Sequence, residues 1–90
     1  MQRFIYPAIF YKDEETVRVL FPDIELATDG AFVEEAYLYA KEFLRQYFVQ
    51  VLKYDFDYNK PSSIDEVKSK CKSDDIVMLV EAEVKDKDWK

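Results

Sequence analysis

The sequence predicts an α+β fold with the element order β-β-β-α-(α)-β. Three observations predict it. Three short strand-type runs, separated by turn residues, precede residue 31. Residues 32–53 then contain no Pro or Gly and carry apolar residues at spacings of three and four. A last apolar run, residues 76–84, follows a second, shorter helical segment.

Residues 3–12 read as a strand with both alternating faces apolar, as in an interior strand covered on both sides. Pro7 cannot donate to a ladder, so its nitrogen is expected at a ladder end or a bulge. Asp13-Glu14-Glu15 is a polar turn. Thr16 to Phe21 alternates, with Val17, Val19 and Phe21 inward, and closes a hairpin on the first strand. Pro22-Asp23 breaks that strand, Ile24 to Thr28 forms a short third one, and Asp29-Gly30 ends it.

In the long helix, Val33, Ala36, Tyr37, Ala40, Leu44, Tyr47, Phe48 and Val51 fall within an arc of roughly 120° at 100° per residue, which makes them the core face. Phe32, Tyr39 and Phe43 widen that stripe. Leu38 and Val49 lie on the otherwise polar side, beside Glu34, Glu42 and Arg45, and are candidates for a protein contact. Tyr54 to Lys60 is a polar and aromatic connector. Pro61-Ser62-Ser63 opens the second helix, where Ser62 or Ser63 serves as cap and Asp65 and Glu66 complement the dipole. Residues 85–90 are polar and expected to fray.

The first three strands are expected to form an antiparallel meander. The last follows a helical crossover and is expected to pair parallel to the first, with the helices on one face of the sheet. This is the order of a partial RNase H-like fold. The opposite face, left open, would favour dimerisation or a partner.

Ninety residues make one domain, 1–90, and the 17% aromatic share supplies the core of a chain this short. The net charge is −6, and all of the excess lies in residues 1–66, with 13 acidic and 7 basic side chains; residues 67–90 hold 6 of each. An acidic surface disfavours phosphate and suits a basic partner. The lone Cys71 allows no internal disulfide and fits a reducing cytoplasm. Neither a signal peptide nor a run of roughly 20 apolar residues is present, so a cytoplasmic location without membrane contact is expected.

Catalytic signals are weak. The chain has no His, the commonest general base. Gly30 is the single glycine, so no Gly-rich loop cradles a phosphate. RNase H-type nucleases place metal-binding carboxylates on central strands, yet Phe4 to Tyr11 carries no acid. Asp55, Asp57, Asn59, Ser63 and Glu66 match the spacing of an EF-hand loop, but Lys60-Pro61 stands where the sharp turn needs Gly. A solvated connector followed by a helix cap explains the same residues. No catalytic residue, metal or cofactor is therefore expected, and the chain is read as a binding protein rather than an enzyme. The lysines near residues 68–72 and 85–90 do not form a nucleic-acid footprint, so direct DNA binding by this chain alone is not expected.

The combination Tyr6-Pro7-Ala8-Ile9-Phe10, Phe21-Pro22-Asp23-Ile24, Gly30, Glu34-Glu35-Ala36, Ala40-Lys41-Glu42 and Pro61-Ser62-Ser63 resembles the HicB antitoxin family over nearly all of residues 4–84. Several features differ, among them the capping Thr before the helix, where this chain has Phe32. Family members usually carry glycines in the first hairpin and Gly-Cys after the Phe-Pro-Asp turn, whereas this chain has Asp13-Glu14-Glu15 and Glu25-Leu26. The resemblance implies an antitoxin, expected as a homodimer, that occludes a small basic HicA-type ribonuclease toxin. The candidate contacts for such a partner are Phe21, Pro22 and Asp23 in the turn and Glu34, Glu35 and Leu38 at the helix start. An orphan interaction module without a toxin is the alternative, and a metal-dependent nuclease the distant one.

Overall fold

A computed structural model describes residues 1–90. The strands are β1 (Gln2–Asp13), β2 (Thr16–Phe21), β3 (Leu26–Gly30) and β4 (Ile76–Val84); the helices are α1 (Val33–Tyr54) and α2 (Ile64–Lys68). The strands form one sheet in the order β3-β2-β1-β4, and every neighbouring pair is antiparallel. The helical layer, formed by α1, packs on one face of it. The fold is α+β.

Alternation along β1 sends Phe4, Tyr6, Ala8 and Phe10 to the face that α1 covers, where all four are buried. Val17, Val19 and Phe21 of β2 and Val80, Ala82 and Val84 of β4 join them. From α1 come Ala36, Ala40, Leu44, Phe48 and Val51, spaced by three and four as the helical period requires. Phe48 is the centre of this core: its ring stacks on Phe4 with centroids 3.8 Å apart and leans on Tyr6 at 5.4 Å.

The last strand corrects one expectation. β4 runs antiparallel to β1, pairing Gln2 with Val84 and Phe10 with Ile76, and not parallel to it. The reason lies in the connector. The chain leaves β3 beside Val17, and α1 carries it the length of the sheet to Phe4. Residues 55–75 then retrace that length, so β4 begins beside Phe10 rather than beside Gln2. Two passes, instead of a single crossover, reverse the strand.

β2 pairs with β1 only from Ile9 to Asp13. The first half of β1 has β4 on one side and no strand on the other, and Pro7 sits there, where its missing N–H costs no ladder bond. The β3 boundary also shifts: Pro22 to Glu25 form the turn, with Glu25 in the left-handed region at φ 54°, so the strand starts at Leu26 and includes Gly30. Gly30 is needed for close approach, since a Cβ there would lie 2.5 Å from the Ala36 nitrogen.

Residues 85–90 are ordered where fraying was expected. Asp86–Asp88 form a 3-10 turn, Trp89 packs against the core, and Asp88 lies 3.8 Å from Arg45 of α1. Val49, expected on the polar side of α1, also packs against the core. The returning tail widens the side of the helix that is covered.

Candidate partner-binding surface

The six residues expected to contact a partner do not form one surface. Phe21 is fully buried in the core and presents nothing to solvent. Its alternation with Val17 and Val19 already placed it inward, and the turn that follows does not change its face. Pro22 is exposed, but the Asp23 carboxylate is committed inside the molecule. It accepts hydrogen bonds from the Ser62 backbone nitrogen at 2.9 Å and from Ser62 Oγ at 2.6 Å. The Asp23 carbonyl accepts from Asn59 Nδ2 at 2.9 Å. Asp23 thereby ties the connector to the β2–β3 turn.

Of the helix-start residues, Glu34 is exposed, while Glu35 Oε1 accepts from the Ala31 nitrogen at 3.0 Å. That bond compensates for Phe32, whose side chain caps nothing. Leu38 is 64% exposed, more than any other large apolar side chain. It borders a hollow with Val33, Tyr37 and Met78 on one side and another with Arg45 and Ala82 on the other. Leu38 therefore stands beside the outer edge of β4. Between these hollows and Asp88, the Arg45 guanidinium bonds Glu42 at 2.7 Å and holds its carboxyl below the usual carboxylate range.

The connector builds a surface on the opposite side of α1. Asp23, Ile24 and Glu25 from the turn meet Tyr47 of α1 and Asp57, Tyr58 and Asn59 of the connector around a cleft of about 310 Å³. Tyr47 is nine residues beyond Leu38, half a revolution round the helix and roughly 13 Å along it. Tyr58 is anchored edge-on to Phe48 at 5.0 Å and to Phe4 at 6.2 Å. Beneath them the buried Tyr6 hydroxyl donates to the Asn59 carbonyl at 2.5 Å. Burial, with Tyr58, Tyr47 and Asp23 nearby, pushes the Tyr6 phenol up to about 12. The free carboxylates of Glu25 and Asp57, beside the rings of Tyr47 and Tyr58, suit a Lys or Arg side chain. Sequence reasoning missed Glu25, Tyr47, Asp57 and Tyr58 because no local pattern signals a meeting between residues 25 and 57.

The EF-hand-like spacing does not converge. Ser63 caps α2 by accepting from the Glu66 nitrogen, while the Glu66 carboxylate accepts from the Ser63 nitrogen. Asn59 is held by Asp23, and no group of three or more His, Cys, Asp or Glu side chains is placed to hold a metal. The Cys71 thiol donates to the Val67 carbonyl at 3.2 Å, and burial followed by Asp75 raises its pKa, away from the reactive thiolate. No helix is long and apolar enough to cross a membrane.

Among solved structures, the chain is similar to one from a toxin–antitoxin complex of Streptococcus pneumoniae. The two are 26% identical and superpose with a TM-score of 0.74 over 91% of this chain and 70% of that one. A chain of a HicA3 and HicB3 toxin–antitoxin complex matches in fold, with 23% identity and a TM-score of 0.66 over 89% of this chain and 99% of that one. No family model and no curated protein matches the sequence. The neighbours thus give the chain a fold found in toxin–antitoxin complexes.

Proposed function

We propose that this chain is an antitoxin of HicB type, a cytoplasmic homodimer that binds a small basic HicA-type ribonuclease and blocks it by occlusion. The observation that carries the reading is the 26% identical neighbour in a toxin–antitoxin complex, which aligns over 91% of this chain. It joins the Tyr6-Pro7, Phe21-Pro22-Asp23 and Glu34-Glu35-Ala36 signature read from the sequence. Two further facts favour the antitoxin over the toxin half of such a pair. The chain lacks His, whereas the resemblance implies a toxin with a catalytic His, and its charge of −6 complements a basic protein.

The cleft beside Asp23, with Glu25 and Asp57 as its free carboxylates and Tyr47 and Tyr58 as its aromatic rings, is the proposed toxin contact. Asp23 ties the connector to the turn beside it, while Pro22 lines a neighbouring hollow and Phe21 is buried in the core. Glu34, Glu35 and Leu38 lie on the other side of α1 and are assigned away from this contact.

The test is to look for a small basic reading frame beside the gene for this chain and to co-express its product with the chain. Rescue of growth, co-purification at low salt and inhibition of RNA cleavage at equimolar ratio are expected. Glu25→Lys with Asp57→Lys should weaken capture at least tenfold while leaving the circular dichroism spectrum unchanged. Failure to co-purify even at low salt would favour an orphan interaction module. RNA cleavage by the purified chain with Mg²⁺ or Mn²⁺ would replace both readings with a nuclease.

A further inference from the structure

β4 is an edge strand nine residues long, and its outer side is open. None of the turn, loop, cap or side-chain hydrogen bonds reaches the backbone of residues 76–84. A long, apolar, unpaired edge is a template for another strand. The other edge, β3, has five residues and carries an exposed Asp29, so it is the poorer template.

We propose that a second copy of this chain docks on the β4 edge, joining two sheets into one of eight strands through antiparallel β4–β4 pairing centred on Val80. The proposal takes up the homodimer of the preceding section, assigns it a surface and a register, and does not depend on the toxin.

The register follows from the side chains. Centring on Val80 sets Met78 opposite Ala82 and Ile76 opposite Val84 of the second copy, so the apolar layer under α1 continues from one copy into the next. On the other face it sets Leu79 opposite Glu81 and Val77 opposite Glu83, and no like charges meet directly. Arg3, 3.5 Å from Glu81 and 3.6 Å from Glu83, already offsets part of the charge of those two acids. A shift by one residue would set apolar core positions opposite solvent-facing ones.

The helix above the edge has the matching symmetry. Leu38 borders both the hollow that contains Met78 and the hollow that contains Ala82, so it stands level with Val80, where the two-fold axis passes. Glu34 lies one turn before it and Lys41 one turn after it. Neither takes part in an ion pair within the chain. A two-fold axis at Leu38 sets Leu38 against its own copy and Glu34 beside the second copy's Lys41, twice over, as an isologous interface requires. The two hollows beside Leu38 carry the acids Glu34, Glu42 and Glu83 and the bases Lys41 and Arg45, a sum of −1, so this patch is close to neutral on a chain of charge −6.

Sedimentation equilibrium of the full chain, without toxin, tests the proposal. The expected result is a concentration-dependent species of twice the 10.8 kDa chain mass. Leu38→Lys should raise the dimer dissociation constant at least tenfold with an unchanged circular dichroism spectrum. Glu34→Lys should weaken the dimer, and adding Lys41→Glu should restore it. Leu38→Cys in a Cys71→Ser background should form a disulfide-linked dimer on mild oxidation. A monomer at every concentration overturns the proposal, as does a dimer that ignores Leu38→Lys and does not cross-link at position 38. Toxin capture is read separately by co-purification through the cleft variants, so either result can fail while the other stands.

Discussion

Removing the Asp23 carboxylate leaves the Ser62 nitrogen and hydroxyl without their acceptor. Asp23→Ala should therefore destabilise the protein by about 2 kcal/mol, and Ser62→Ala, which loses only the hydroxyl bond, by about 1 kcal/mol. Urea denaturation with both variants and the double variant measures this, and the double should cost less than the sum because the pair is one interaction. Glu14 and Glu25 hold φ of 57° and 54°, a region where a side chain costs roughly 1 kcal/mol. Both fall where the family that the sequence resembles usually has glycine. Glu25→Gly should accordingly raise the urea midpoint, with a gain of about 0.5–1 kcal/mol. Tyr6 gives a pH dependence. Its folded pKa of about 12 lies above the ordinary 10.0, so the fold favours the neutral phenol. The resulting stability is complete below pH 10 and is lost as pH rises from 10 to about 12, on the order of 2 kcal/mol in all. Unfolding midpoints across that window should fall more steeply for the native chain than for Tyr6→Phe.

At the scale of the element, the joint between β3 and α1 tolerates least. A methyl at Gly30 would lie 2.5 Å from the Ala36 nitrogen and 2.8 Å from its Cα, both of them backbone atoms. Gly30→Ala must therefore push α1 off the sheet and should cost about 1–3 kcal/mol. Thermal unfolding measures it, and Asp29→Ala, one residue earlier and exposed, is the control that should change little. The sequence shows a glycine at this point and marks it as a strand breaker, but the requirement for contact with Ala36 comes from a pairing that local pattern does not contain. The same limit applies elsewhere. The apolar stripe of α1 and the alternation in β2 are legible because burial repeats with the period of the element. The direction of β4 was not legible, because it depends on the path of residues 55–75. That stretch is polar, aperiodic and held by side-chain bonds to Asp23, 36 to 39 residues away in the chain. Val49 and the tail depart from expectation for a related reason: a helix face that is polar by periodicity becomes a packing face when a distant segment folds back onto it.

For the whole molecule, charge sets the behaviour that the candidate site makes measurable. The excess of acid in residues 1–66 is legible in composition, whereas which of those acids stay free of bonds within the fold is not. Of the acids that the motifs single out, Asp23 and Glu35 are engaged within the fold, while Glu34 is exposed. Glu25 and Asp57 border the cleft and are exposed to solvent. If a basic toxin docks there, most of its attraction is long-range and therefore screened, with a Debye length of about 8 Å at physiological salt and about 3 Å at 1 M. Raising salt from about 0.05 to 0.5 M should slow association by one to two orders of magnitude while changing dissociation several-fold less, because steering acts before contact and the aromatic floor acts after it. Stopped-flow mixing of the two purified proteins separates the rates. Glu25→Gln with Asp57→Asn should flatten the salt dependence of association. Tyr58→Ala should instead speed dissociation and leave the salt slope of association unaltered, since the ring carries no charge. An association rate indifferent to salt would mean that the acidic cleft does not face the partner, and the contact would then have to be sought on another part of the surface.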